Sequence, residues 1–161
     1  NREARYTPMS YHNGSIWPHD VALIAYGLSQ YGFQKEAQRI TAGLFDAALF
    51  LDLQRLPELF CGFDRRPGEG PTAYPVACSP QAWSVASVFL LLQSLLNLRI
   101  DALSRRITFH CPTLPDYLEH IRIERLQLGS EYAALEMHRQ AYDVGIQVID
   151  KPNDWEIVIC K

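Results

Sequence analysis

The chain has 161 residues, a formal net charge of −3, and 48% hydrophobic against 20% charged residues. This length and composition are typical of one globular domain with a small appendix, and they exclude a wholly disordered chain. The slight negative charge argues against a nucleic-acid partner. The longest apolar run, 85–92, is far shorter than the roughly 20 residues that cross a bilayer, so we expect no membrane partner.

The chain starts at Asn1 without an initiator Met or a signal sequence, so we expect a piece of a longer polypeptide. Its four cysteines form no C-x-x-C pair and have no metal-ligand spacing with the histidines, so we expect neither metal nor cofactor. Reduced thiols and a cytoplasmic location are the simplest interpretation. A disulfide between Cys61 and Cys78, which share one loop, is the alternative.

Irregular residues 1–16 precede the first predicted helix, in which Pro18 suits the first turn. From Val21 to Tyr31 this helix carries no charge, and Gly32 is a probable C-cap. A helix that is apolar nearly all round is expected to be buried on every side. A second, amphipathic helix is predicted over 34–51.

A long loop follows and leads to a third helix, predicted from Pro80 to about Leu96 with Ser79 as N-cap. This helix is also free of charges, and Trp83 in its first turn is expected to fill the core. Two buried helices that both receive long loops at their amino ends predict part of an α/α toroid, with both loops at one end. One amphipathic helix cannot cover them. The missing cover would come from the other part of the barrel, or from self-association through the apolar helices.

Beyond residue 97 the pattern changes to alternating apolar and polar residues, interrupted by turn formers. We interpret 98–161 as a small antiparallel β module and 1–97 as the carboxy-terminal portion of the helical barrel. The predicted fold class is therefore mainly α.

Glu58 is the strongest candidate for chemistry. Pro57 fixes the backbone before it, and Leu56, Leu59 and Phe60 can shield it from water. A carboxylate held in this way can serve as a base that activates water. Nearby aromatic residues could be core residues or platforms for a sugar. The expected platforms and hydrogen-bonding partners for a sugar are Tyr11, Trp17, His12, Asn13, His19, Asp20 and Gln81.

Three segments of the chain carry a resemblance to a known family. They are Tyr11-His12-Asn13-Gly14-Ser15-Ile16-Trp17-Pro18-His19-Asp20, Leu56-Pro57-Glu58-Leu59 and Cys78-Ser79-Pro80-Gln81-Ala82-Trp83. In order and spacing they resemble the carboxy-terminal part of the amylo-α-1,6-glucosidase domain of glycogen debranching enzymes, a six-hairpin glycosidase family. The resemblance covers about residues 6–97.

The resemblance implies the last three helices of an (α/α)6 toroid and hydrolysis of α-glucosidic bonds with inversion, on glycogen, another α-glucan or an oligosaccharide. Glu58 matches the family's general base, and the sugar subsite maps onto Tyr11, His12, Trp17 and Gln81. The general acid lies in an earlier part of the family's barrel, and Asp20, the nearest carboxylate, does not match its motif. We therefore expect the chain alone to be inactive.

Two other interpretations remain open at this stage. The first is a non-catalytic carbohydrate-binding or scaffolding remnant that keeps the sugar-lining loops. The second is a helix-plus-β interaction module without sugar chemistry, which requires the three-segment match to be a coincidence.

Overall fold

The computed structural model describes residues 3–161. Within these residues three α-helices come first, and six β-strands follow. The elements are α1 (Pro18–Gln30), α2 (Gln34–Ala48), a 3-10 turn (Asp52–Gln54), α3 (Ala82–Leu96), β1 (Leu98–Asp101), β2 (Arg106–His110), β3 (His120–Leu128), β4 (Glu131–Arg139), β5 (Val144–Asp150) and β6 (Glu156–Cys160).

The predicted fold class is wrong. The chain is 29% helical and 26% strand, so it is a mixed protein with helices and sheets in separate regions, and not the mainly α end of an (α/α)6 toroid. The prediction failed because it weighted three helices over the alternating pattern, although that pattern fills the last 64 residues with strands. We refer below to α1, α2 and α3 as the helical region and to residues 98–161 as the β module.

The bounds of α1 agree with the sequence prediction. Pro18 lies in the first turn, where its missing N–H has no helical partner to lose. After the C-cap Tyr31, Gly32 has φ 82°, a left-handed conformation that glycine adopts without strain.

The predicted start of α3 is wrong. Gln81, and not Ser79, is the N-cap, with the extended backbone angles φ −123° and ψ 139°. Pro80 therefore lies before the helix. The reason is tertiary: the backbone N–H of Gln81 donates to the carbonyl of Leu56 at 3.3 Å, which holds this stretch extended beside the Glu58 loop.

Small residues line the contact between α1 and α3. Ala22 and Ala25 on α1, together with Ser84 and Ser87 on α3, are buried, and short side chains allow two helices to approach closely. The opposite side of α3 is exposed, with Phe89 at 73% of its accessible surface. Within this chain α2 does not cover both charge-free helices, which agrees with the expectation that one amphipathic helix is not enough.

The β module consists of two three-stranded sheets, ordered β1-β2-β6 and β3-β4-β5. The second sheet is antiparallel throughout, as predicted, but β2 pairs with β6 in parallel, for example Ile107 with Ile157. An all-antiparallel module is therefore wrong. The chain builds the whole second sheet between β2 and β6, and this long crossover lets β6 run in the direction of β2.

Two apolar cores lie in the structure. One fills the β module around Phe109, Leu135 and Met137, and Leu96 at the end of α3 packs into it. The other lies between the helices and the loop that carries Glu58. Because Leu96 belongs to the first core, the helical region and the β module are joined there, and the division into 1–97 and 98–161 stays a prediction.

Three glutamine amides on α1 and α2 hold the end of α3 and the start of the β module. The Nε2 atom of Gln30 donates to Asn97 Oδ1 at 3.0 Å, that of Gln34 to the carbonyl of Leu95 at 2.8 Å, and that of Gln38 to the carbonyl of Leu114 at 3.0 Å. We call these contacts the glutamine junction. Separately, no helix within residues 3–161 has the length and apolar character needed to cross a bilayer.

Candidate functional site

The segment 56–61, with Glu58 at its centre, is buried throughout. Phe60 exchanges two backbone hydrogen bonds with Ile16, at 2.8 and 2.9 Å, and the N–H of Cys61 donates to the carbonyl of Thr72 at 3.0 Å. These contacts tie the amino-terminal loop and the far side of the long loop to one central segment. The long loop is therefore an ordered support for the carboxylate.

Close backbone contacts make two glycines necessary in these loops. A Cβ atom on Gly62 would lie 1.8 Å from the carbonyl oxygen of Gly14, and one on Gly14 would lie 1.8 Å from the carbonyl oxygen of Thr7. The N–H of Gly62 donates to the carbonyl of Pro8 at 2.8 Å, and its carbonyl accepts from the hydroxyl of Tyr6. The two loops approach here at backbone distance, and only a residue without a side chain fits.

Glu58 is 9% exposed, and hydrogen bonds hold both its backbone and its carboxylate. Its backbone N–H donates to the carbonyl of Cys78 at 2.8 Å, and its Oε2 accepts from the N–H of Cys78 at 3.1 Å. The other carboxylate oxygen, Oε1, accepts a short hydrogen bond from the hydroxyl of Tyr11. Each oxygen thus has one donor from the chain and retains a further lone pair.

These hydrogen bonds decide the protonation state of the pair. The Tyr11 hydroxyl, followed by the Cys78 backbone N–H, lowers the pKa of Glu58, against the opposing effect of burial. The same contact raises the pKa of Tyr11 to about 12. At neutral pH Glu58 is therefore an ionised acceptor and Tyr11 a neutral donor.

Aromatic rings surround this pair, and we call them the aromatic cluster: Tyr11, His12, Trp17, His19, Tyr74 and Trp83. Trp17 meets Tyr11 edge to face at 4.7 Å between ring centroids, and its Nε1–H donates to the Tyr11 carbonyl at 3.1 Å. His12 stacks parallel to Trp17 at 6.1 Å. The structure thus brings Tyr11, His12 and Trp17 together next to Glu58.

His19 and Gln81 supply polar atoms without a partner. His19 lies between Trp17 and Trp83, with ring centroids 5.5 and 5.0 Å away. Among residues 3–161, His19 Nδ1 and Gln81 Oε1 are buried and find no hydrogen-bond partner. Buried polar atoms usually have a hydrogen-bond partner, so these two are exceptions that lie close to the aromatic cluster or in the loop next to it.

Asn13 and Asp20, two of the polar residues that the sequence suggests for sugar binding, have surroundings different from those of Glu58. Asn13 lines a separate pocket with Tyr6 and residues 3–5. Asp20, the nearest carboxylate to be considered as an acid, is mostly exposed, and its Oδ1 lies 3.8 Å from His19 Nε2. Neither is described in contact with Glu58.

Sequence reasoning missed the surroundings of Trp83 and the role of Cys78. Trp83 was expected to fill the core but is 66% exposed, with its ring against His19. Its position in the first turn after a long loop, two residues after Gln81, was an available signal. The contribution of Cys78 is a backbone N–H, which leaves no mark in a sequence.

All four cysteines, which lie within residues 3–161, are free thiols, with Cys61 buried and Cys78 exposed. The Cys61–Cys78 disulfide considered as an alternative is therefore not formed. A separate apolar cavity of about 330 Å³ lies between α2 and the long loop, lined by residues that include Leu44, Phe50 and Phe63, and Glu58 does not line it.

Neither a family model nor a curated protein matches this chain. The resemblance to amylo-α-1,6-glucosidases therefore rests on the three sequence segments alone.

Proposed function

We propose that this chain supplies the general base of an inverting glycoside hydrolase acting on α-glucosidic bonds, and that Glu58 is this base. The observation that carries the proposal is the setting of Glu58: an almost enclosed carboxylate, fixed by Tyr11 and Cys78, beside the aromatic cluster. The resemblance of the three segments supports glycogen or another α-glucan as the substrate.

The protonation state favours a base over an acid. A general acid must hold its proton near neutral pH, which requires a raised pKa. Hydrogen bonds from Tyr11 and Cys78 instead lower the pKa of Glu58. An ionised carboxylate with a free lone pair on each oxygen can accept a proton from a water molecule.

The surroundings suit a sugar. Sugars present apolar C–H faces and a rim of hydroxyls, and binding sites of this type combine aromatic faces with a few polar atoms. The aromatic cluster offers such faces, with the ring of Trp83 largely exposed. The unpartnered His19 Nδ1 and Gln81 Oε1 are suited to hydroxyl groups.

In the proposed reaction Glu58 removes a proton from water, the resulting hydroxide attacks the anomeric carbon, and the glycosidic bond breaks. A carboxylic acid from outside this chain protonates the leaving oxygen. The two carboxyl groups of an inverting enzyme are roughly 6.5 to 9.5 Å apart, which leaves room for the water.

The test is Glu58→Gln in the complete polypeptide, with glucose release from a branched α-glucan as the readout. Loss of a general base is expected to lower kcat by about 10²–10⁴-fold. Glu69→Gln is the matched control, because Glu69 is an exposed carboxylate of the same loop that pairs with Arg66. In Glu58→Ala, azide should partly restore bond cleavage with glucosyl azide as the product in place of glucose, since this anion attacks without losing a proton and the truncated side chain leaves room for it. Near wild-type release by Glu58→Gln would show that the assignment is wrong.

The second candidate is carbohydrate binding without catalysis, and one observation favours it. Within residues 3–161 Glu58 is the only buried carboxylate, and Asp20, which lies beside His19, is mostly exposed. A wild-type protein that binds maltooligosaccharides, releases no glucose, and binds equally well as Glu58→Gln would establish this function instead.

A further inference from the structure

We propose that Tyr11 is a positioning residue for Glu58, whose hydroxyl fixes the plane of the carboxylate, rather than a platform for the sugar ring. The proposal rests on the proposed function of Glu58 as a base. It gives Tyr11 a role different from the subsite role that the resemblance implies.

The ring of Tyr11 is held on several sides. Its centroid lies 4.8 Å from that of His12, 4.7 Å from that of Trp17 and 5.7 Å from that of Tyr74, each in an edge-to-face arrangement. The backbone is held as well, because its carbonyl accepts from Trp17 Nε1 at 3.1 Å. With ring and backbone both fixed, the hydroxyl has one defined position.

That position is occupied by the contact with Glu58. The terminal torsion of a glutamate side chain has broad preferences, so a carboxylate in a loop does not orient itself. Here Oε2 is held by the N–H of Cys78 and Oε1 by the hydroxyl of Tyr11. Two donors on different oxygens define the plane of the carboxylate, and removing one of them leaves it free to turn.

Tyr11→Phe tests this directly, because it keeps the ring and removes only the hydroxyl. The hydrogen bond stabilises the ionised form of Glu58, so its loss raises the pKa of the base. The acid limb of kcat/KM, which reports the base of the free enzyme, should move to higher pH. At the optimum kcat should fall about tenfold with little change in KM, because a misplaced base weakens the chemical step and not the binding.

Tyr6→Phe is the matched control. The hydroxyl of Tyr6 donates to the carbonyl of Gly62 in the same pair of loops and does not touch Glu58. Tyr6→Phe therefore removes a hydrogen bond that holds the two loops together, but it keeps the hydrogen bond that holds Glu58. We expect an unchanged acid limb in Tyr6→Phe. Equal shifts in both variants would reduce Tyr11 to a loop support and overturn the proposal.

A carboxyl titration by ¹³C NMR separates this proposal from the proposed function. The Glu58 signal is identified by its absence in Glu58→Gln, and its midpoint should lie below that of ordinary glutamates and rise in Tyr11→Phe but not in Tyr6→Phe. An unchanged midpoint in Tyr11→Phe overturns the positioning role, whatever the activity. Undiminished glucose release by Glu58→Gln overturns the proposed function, whatever the titration.

If Tyr11→Phe does not fold, a second measurement leaves Tyr11 unchanged and compares the wild type with Glu58→Gln. A phenol proton held by a carboxylate exchanges slowly and gives a low-field ¹H resonance. The wild-type chain should show this resonance at neutral pH, and Glu58→Gln should lack it. Its absence from the wild type would contradict the contact on which the proposal depends.

Discussion

The helical region and the β module contain similar apolar residues but use them in opposite ways. In the β module these side chains point into a shared core, where Phe109, Leu135 and Met137 are fully buried. In α3 the buried positions near the amino end are serines, while Trp83 and Phe89 lie exposed. The strands β2 and β4 thus bury their apolar side chains, whereas one side of α3 leaves its apolar side chains exposed.

The difference teaches where stability and chemistry reside. A closed core supplies stability through burial, so the β module can be regarded as the support. The loops of the helical region instead hold a carboxylate, unpartnered polar atoms and partly exposed rings beside tight backbone contacts. Such features cost stability and are typical of functional sites.

The largest effect is expected from Leu135→Ala in the β module. Leu135 is fully buried, and truncating such a leucine lowers the free energy of unfolding by about 2–5 kcal/mol. Urea unfolding followed by circular dichroism measures the change, with the half-exposed Val148→Ala as control. A cost below that of the control would mean that the β module is not the supporting core.

Gly62→Ala should have the next largest effect, and it acts on the loops. Its Cβ would meet the carbonyl oxygen of Gly14 at 1.8 Å, and overpacking of this kind costs about 1–3 kcal/mol.

The control is Gly43→Ala in α2, whose Cβ meets nothing within 4 Å. There alanine should raise the unfolding free energy by about 0.4–1 kcal/mol. Opposite signs for the two variants in thermal unfolding are the expected result, and the same sign would contradict the close approach of the loops.

A smaller effect is expected on the pH dependence of the free energy of unfolding, because it depends on one hydrogen-bonded pair, Glu58 and Tyr11. Glu58 has a lowered pKa when folded, so it contributes stability above its unfolded pKa, and this is lost as pH falls through the folded value. Tyr11 has a raised pKa, so its contribution is complete below 10.0 and is lost as pH rises towards 12. Urea unfolding across these windows should show both losses in the wild type. Identical pH profiles for wild type and Glu58→Gln would refute the coupling.

The smallest effect is expected from Phe89→Gln on the exposed side of α3. A side chain that is 73% exposed loses little burial, so the free energy of unfolding should stay within about 0.5 kcal/mol. Leu91→Gln, two residues further and fully buried, is the contrast and should destabilise strongly. A large loss in Phe89→Gln would show that this face is covered in solution.

Local rules account for the features that the sequence predicted well. Pro18 and Gly32 act through their own backbone preferences, and the alternation in residues 98–161 indicates strands regardless of their partners. The parallel pairing of β2 with β6 was not predictable, because alternation is the same in parallel and antiparallel strands. The predicted fold class was wrong for a different reason, because it gave the three helices more weight than the strands that the alternation in residues 98–161 indicates.

The candidate site also has features that the sequence shows and features that only the folded structure shows. Glu58 stands out through its neighbours Pro57, Leu59 and Phe60, which a sequence shows directly. Its bond to Tyr11 joins residues 47 positions apart, and its bond to Cys78 uses the backbone. Contacts of these two kinds arise only when the loops are folded against each other.

The glutamine junction has a consequence for how the helical region and the β module hold together. Gln30, Gln34 and Gln38 hold the segment between Leu95 and Leu114, where α3 leads into the β module, through uncharged amides. The hydrogen bonds of such amides are not screened by dissolved ions as exposed ion pairs are. The surface pairs of the chain, such as Arg106 with Glu156, weaken as salt is added. We therefore expect added salt to weaken the surface ion pairs before it weakens this junction.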